Sequence, residues 1–167
     1  MSSASTYLRQ MSLGDMDAVC EVEKTAYSHP WSRGNFEDSL RSGYWAQVLV
    51  GEDQSLWGYV VAMPGVQETH LLNLTVVPDR QGQGWARHML DALVAWSHQQ
   101  SASHLWLEVR ASNARARRLY VAYGFGHVGE RKHYYPGIGR QREHAVDRKS
   151  TRLNSSHMSE SRMPSSA

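Results

Sequence analysis

The chain has 167 residues, enough for one domain with a substantial core, and no apolar run approaches the roughly 20 residues of a membrane span. Its 18 Lys and Arg stand against 16 Asp and Glu. Four of those cations and two of the acids fall in residues 147–167, so the rest is balanced and gives no support for nucleic-acid binding. The first residues lack the charged and apolar regions of a secretory signal, and the single Cys20 excludes an intramolecular disulfide. Both features suit a reducing cytoplasm. Cys20 sits in a helical pattern and reads as a buried structural thiol. The nine histidines match no zinc spacing, so no metal is expected.

In chain order, residues 6–11 read as an opening strand. Ser12 and Asp15 make a capping-box pattern, followed by Met16, Val19, Val22 and Ala26 at helical spacing. His29-Pro30-Trp31 breaks that helix, and Ser32 can cap a second one carrying Phe36 and Leu40. Residues 45–50 and 56–62 form a predicted hairpin, and residues 69–77 a third long strand. A helix is expected over residues 84–99 and a strand over 104–110. Residues 112–123 read as helical, with Gly124 at the left-handed C′ position. Another strand is expected over residues 126–131, then an aromatic, basic loop over 131–142. The pattern predicts a mixed α/β sheet. A last strand is expected to begin at Arg142 and to be cut short after Val146. Residues 147–167, one-third serine, are expected to be disordered, either a non-native junction or a genuine extension. The folded domain is therefore expected over residues 6–146.

The richest chemistry lies after the third strand, in Gln81-Gly82-Gln83-Gly84-Trp85-Ala86-Arg87. A strand feeding a small-residue loop and a helix N-terminus makes an anion site, because free N–H groups and the helix dipole converge on it. No Lys-Ser or Lys-Thr follows, which argues against a nucleotide P-loop. The G-x-G-x-x-G order of dinucleotide folds is also absent.

Gln81-x-x-Gly84-x-Ala86 resembles the pyrophosphate loop of the GCN5-related N-acetyltransferases (GNAT). Leu105-Trp-Leu-Glu-Val-Arg-Ala-Ser-Asn113, the helix to Phe125, Pro30-Trp31-Ser32 and Tyr134-Tyr135-Pro136 closely resemble the ribosomal-protein-alanine N-acetyltransferases (RimI type). The likeness runs over residues 6–146. It implies a GNAT fold, a mostly antiparallel mixed sheet flanked by helices, with acetyl-CoA as co-substrate. It implies that Leu74, Thr75 and Val76 meet the pantetheine arm, that residues 82–87 hold the pyrophosphate, and that Asn113 bonds CoA. Asn113 could equally be a helix cap. One departure stands out: position 82 is Gly where related sequences often carry Arg.

An α-amine with pKa near 7.7–8.0 is largely protonated at neutral pH, so a base must take a proton before or during attack. Glu108 shares a strand face with Trp106 and Arg110, opposite Leu107 and Val109, and the resemblance gives this position the base. The alternative is a solvated surface carboxylate. The leaving thiolate needs a proton, which the resemblance assigns to Tyr120, two helical turns beyond Asn113; the alternative is a core tyrosine. Trp31, Tyr134 and Tyr135 are candidates for a groove that holds a peptide N-terminus. The expected partner is the N-terminus of a small-subunit ribosomal protein, with no nucleic acid or membrane, and the expected state is a monomer. The competing readings are acetyl transfer to small amines or lysines, and a non-catalytic acetyl-CoA-binding module.

Overall fold

Local capping sets where the front of the chain turns helical. The Asp15 carboxylate accepts from the Ser12 backbone N–H at 2.8 Å, which closes the expected box, and α1 (Met16–Ala26) follows. Ser32 caps α2 (Arg33–Arg41) by accepting from the Asn35 N–H at 3.1 Å, while Asn35 Oδ1 accepts from the Ser32 N–H. These reciprocal bonds satisfy donors that a helix start leaves without partners. The computed structural model describes the backbone of residues 5–110, 112–136 and 142–150, and the side chains of residues 5–110 and 112–126.

The remaining elements are β1 (Tyr7–Gln10), β2 (Trp45–Val50), β3 (Leu56–Gly65), β4 (Glu68–Val76), α3 (Trp85–Gln99), β5 (His104–Arg110), α4 (Ala114–Tyr123), β6 (Phe125–Pro136) and β7 (Arg142–Ser150). They form one sheet in the order β1-β2-β3-β4-β5-β7-β6. Every neighbouring pair is antiparallel except β4 with β5. The mixed, mostly antiparallel sheet flanked by helices agrees with expectation. Beyond it, β6 carries on through the stretch expected to be an aromatic loop, because Tyr135 and Pro136 find partners in Glu143 and Arg142 of β7. β7 starts at Arg142 as expected and runs to Ser150, past the expected boundary at Val146, pairing residues 145–149 with β5. The expectation for residues 151–167 lies outside the described residues.

Strand alternation divides the core in two. One side carries Leu74, Val76, Leu107 and Val109 against α3 and α4. The other carries Val48, Val50, Tyr59 and Val61 against α1 and α2. Between them the register of β3 on β4 slips by one residue at Val61 and Ala62, leaving Leu72 as the extra residue. Such a bulge bends the strand and adds twist. It lies in the strand that then parts from β5.

Candidate functional site

The opening in the sheet is the first element of the site. β4 and β5 pair only over residues 68–70 and 104–106, so residues 71–76 run on past the last pair. Val77 N–H donates to Trp57 C=O across the β3 side. By antiparallel alternation Thr75 also turns its backbone groups toward β3, and Leu74 and Val76 turn theirs to the open edge. Two side chains meet that edge: Gln81 Nε2 donates to Val76 C=O at 2.9 Å, and the Tyr27 hydroxyl lies 3.4 Å from Leu74 C=O. Of the three residues expected to present backbone to a ligand, Leu74 and Val76 have theirs turned to the split. Thr75 is left to act through its side chain.

The opening leads to the loop before α3. Gly82 and Gly84 have φ of 76° and 90°, where a side chain would be strained even though nothing lies within 4 Å of an added Cβ. That left-handed turn brings the chain onto α3 with Gly84 as N-cap and no capping side chain. The first helical bond runs from His88 N–H to Gly84 C=O. The N–H groups of Trp85, Ala86 and Arg87 therefore have no partner within the helix. They border a cavity of about 230 Å³ lined also by Val76, Arg80, Gln81, Gly82, Gly84, Arg115 and Leu119. Most of the expected loop residues are brought together here. Gln83 is not among the lining residues; its Oε1 accepts from Trp85 Nε1 at 3.3 Å.

Two arginines of this cavity were not anticipated. Arg80 is stacked on the Trp57 ring, its guanidinium carbon 3.8 Å from the ring centre. Arg115 reaches from α4 to donate to Gln81 Oε1, tying helix to loop. Three guanidinium groups with Arg87, a helix N-terminus and a glycine turn suit a polyphosphate. Asn113 caps α4 by accepting from Ala116 N–H at 3.1 Å. Asn113 keeps its Nδ2 donors and the second lone pair of Oδ1 for a ligand.

Glu108 and Tyr120 lie on opposite sides of the sheet. Leu107 and Val109 pack on the α3/α4 side, so Glu108, Trp106 and Arg110 face the α1/α2 side. Glu108 is 3% exposed, which excludes the alternative of a solvated surface carboxylate. Beside it Trp106 stacks on His70, with ring centres 6.3 Å apart, and its buried indole N–H finds no acceptor among the described residues. Tyr120 is fully buried on the other side, edge-on to Phe125 at 5.5 Å.

The acceptor candidates divide. Trp31 is half-buried, packs on Phe36 at 5.1 Å, and borders a hollow of about 540 Å³ with Pro30 and α1. Tyr134 and Tyr135 lie on β6, with side chains outside the described residues. Cys20 is buried as expected, and burial pushes its thiol up, against use as a nucleophile.

Sequence reasoning missed a buried polar cluster on the α1/α2 side. Glu23 is fully buried. Its Oε1 accepts from the Tyr59 hydroxyl at 2.7 Å and from Asn73 Nδ2 at 3.1 Å, and its Oε2 accepts from Trp31 N–H at 2.9 Å. Burial raises the Glu23 carboxyl, and the three donors oppose that shift. The Tyr59 phenol is also held up, by burial and by Glu23. A signal was present: Met16, Cys20 and Glu23 share the spacing of one buried helix stripe. A carboxylate on an apolar stripe must find donors. Among the described residues no cluster of His, Cys, Asp and Glu could hold a metal ion.

A model of the acetyltransferase (GNAT) family matches residues 16–125. The chain is 35% identical over 132 residues to the [ribosomal protein bS18]-alanine N-acetyltransferase of Haemophilus ducreyi, covering 79% of this chain and 90% of that one. It is 34% identical over 122 residues to the enzyme of that name from Escherichia coli, covering 73% and 82%. The crystal structure of the ribosomal-protein-S18-alanine N-acetyltransferase from Escherichia coli superposes with a TM-score of 0.79 at 29% identity, covering 93% of this chain and 94% of that one.

Proposed function

Because this chain belongs to the acetyltransferase (GNAT) family, we propose that it acetylates the N-terminal alanine of a small-subunit ribosomal protein, in the cytoplasm and as a monomer. It is an acetyl-CoA-dependent N-acetyltransferase. Its relatives carry the ribosomal protein bS18 in their names, which supports that protein as the substrate. No helix among the described residues is long and apolar enough to cross a membrane.

The observation that carries the reading is the split between β4 and β5, with an anion cradle at one end and a buried carboxylate on its far side. Acetyl-CoA supplies the activated acyl group when bound. The residues present fit it: the glycine turn, the α3 N–H groups and the cavity arginines hold the pyrophosphate. The open-edge backbone of Leu74 and Val76 aligns the pantetheine arm. A free edge N–H also steadies the negative charge that grows on the acetyl oxygen, a contribution of a few kcal/mol in comparable sites. Glu108 removes a proton from the acceptor amine on the α1/α2 side. Tyr120 donates its phenolic proton to the departing sulfur from the α3/α4 side. Among the described residues none is placed as an acyl carrier, so the amine attacks directly in a ternary complex.

An N-terminal amine suits this arrangement better than a lysine. At neutral pH the α-amine loses its proton far more readily, by about 2.5 pKa units. The test is acetyl-CoA turnover on a peptide panel followed by mass spectrometry. Acetyl groups at the N-terminus of alanine-starting peptides are expected. Acetylation confined to internal lysines or polyamines would move the enzyme to another substrate class, and binding without turnover would make it a non-catalytic module.

A further inference from the structure

The Glu23 cluster lies outside the chemistry just described, yet it touches both halves of the acceptor side. Three donors from three places converge on one carboxylate: the Trp31 backbone N–H after α1, the Tyr59 hydroxyl of β3 and the Asn73 amide of β4. The chain of bonds continues toward the opening. Asn73 Oδ1 accepts from the Thr75 hydroxyl at 2.8 Å, and that oxygen lies 2.6 Å from the Tyr27 hydroxyl. With Thr75 donating to Asn73, Tyr27 is the donor to Thr75. The series ends on the Glu23 carboxylate. Thr75 sits between Leu74 and Val76, the two residues whose backbone borders the split. Tyr27, at its outer end, is half-buried beside the Leu74 carbonyl.

We propose that Glu23 is a positioning residue for the acceptor: it pins residues 27–31 onto β4, so that Tyr27 and Trp31 form a fixed wall for the incoming peptide N-terminus. The inference rests on the acetyltransferase reading and names what holds its acceptor side in place. The carboxylate is specifically required. All three groups that reach it are donors, and a glutamine that keeps its oxygen on Tyr59 and Asn73 turns an NH₂ group toward the Trp31 N–H, which it cannot bond. Losing one buried bond of this kind loosens the loop without emptying the core. The cofactor cradle is built from other residues at the far end of β4, so its affinity is insulated from the change.

The experiment compares Glu23→Gln and Tyr27→Phe with the unmodified chain. It measures acetyl-CoA affinity by calorimetry, KM for an alanine-starting peptide, and hydrogen exchange of the peptide spanning residues 24–36. Glu23→Gln is expected to raise peptide KM roughly tenfold, the scale of one charge-assisted bond. It should leave acetyl-CoA affinity within about twofold and speed exchange at Trp31. Tyr27→Phe removes only the outer hydroxyl of the series and shifts peptide KM in the same direction by a smaller factor, with the fold intact. Wild-type peptide KM in folded Tyr27→Phe, or acetyl-CoA affinity falling in step with peptide affinity, overturns the proposal. If the unmodified chain transfers no acetyl group to any peptide, the substrate reading fails. Exchange at Trp31 still decides whether Glu23 holds the loop.

Discussion

The two sides of the sheet are built by different physics. The α3/α4 side joins an apolar core to a backbone cradle: leucines and valines of β4 and β5 pack on two helices, and one glycine turn exposes helix N–H groups beside a small cavity. The α1/α2 side buries a carboxylate, an amide and two hydroxyls in a bonded series that joins α1 and the segment after it to β3 and β4. The first side binds by offering unsatisfied backbone donors to an anion. The second consumes its donors internally and holds its shape for a neighbour. A change in the cradle should therefore register in cofactor affinity, one in the buried network in acceptor affinity, and one at Glu108 or Tyr120 in turnover.

The largest expected effect separates chemistry from binding. Glu108→Gln should lower kcat by about 10² or more, the usual range for a positioned general base, with calorimetric acetyl-CoA affinity unchanged. Tyr120→Phe should lower kcat comparably from the opposite side. Full turnover in both variants breaks the assignment of the two roles. Next comes the turn at φ 90°: Gly84→Ala forces a left-handed non-glycine residue, a cost of roughly 1–2 kcal/mol. Acetyl-CoA affinity should fall about tenfold while peptide KM holds, and titration calorimetry reads it. Arg115→Ala removes one exposed cation and its tie to Gln81, so a loss of about threefold in acetyl-CoA affinity is expected, larger at low salt. An equal loss in peptide affinity would erase the contrast between the sides.

The smallest effect lies at the networked end of the molecule and depends on pH. The Asp15 carboxyl is held below its ordinary value by hydrogen bonds from Arg9, against partial burial and with help from the Ser12 N–H. A depressed folded value stabilises the fold above the unfolded pKa of about 3.9, and the benefit is lost as pH falls through the lower folded value. Asp15→Asn should thus be less stable than the unmodified chain at pH 7 by ~0.5 kcal/mol, discounted because Arg9 is partly exposed to screening. The two should converge near the acid end of a urea-melt series. A constant gap at all pH values would remove Asp15 ionisation as the cause.

Legibility followed contact range. The helix caps at Ser12 and Ser32 and the Gly84 turn depend on bonds within a few residues, and the amino-acid pattern carries them. The continuation of β6 to Pro136 depends on β7, so the aromatic stretch looked like a loop until its partner strand was placed. Glu23 was legible in principle as a carboxylate on a buried stripe, but its donors lie 8, 36 and 50 positions away. Asn113 shows the reverse case: one residue supports two local readings, and the structure supplies the cap.

By itself the amino-acid sequence determined the sheet-and-helix class and the glycine turn before α3, because residue type and short spacing carry that information, while Glu108 and Tyr120 stood out as candidates through the family resemblance. Tertiary structure alone decided that β4 and β5 part after three residue pairs, and that Leu74 and Val76, not Thr75, turn their backbone to the gap. It also decided that Glu108 and Tyr120 come from opposite sides of the sheet. Register and burial decide these points, and both are set by strands meeting across the fold; they cannot be computed from neighbours along the chain.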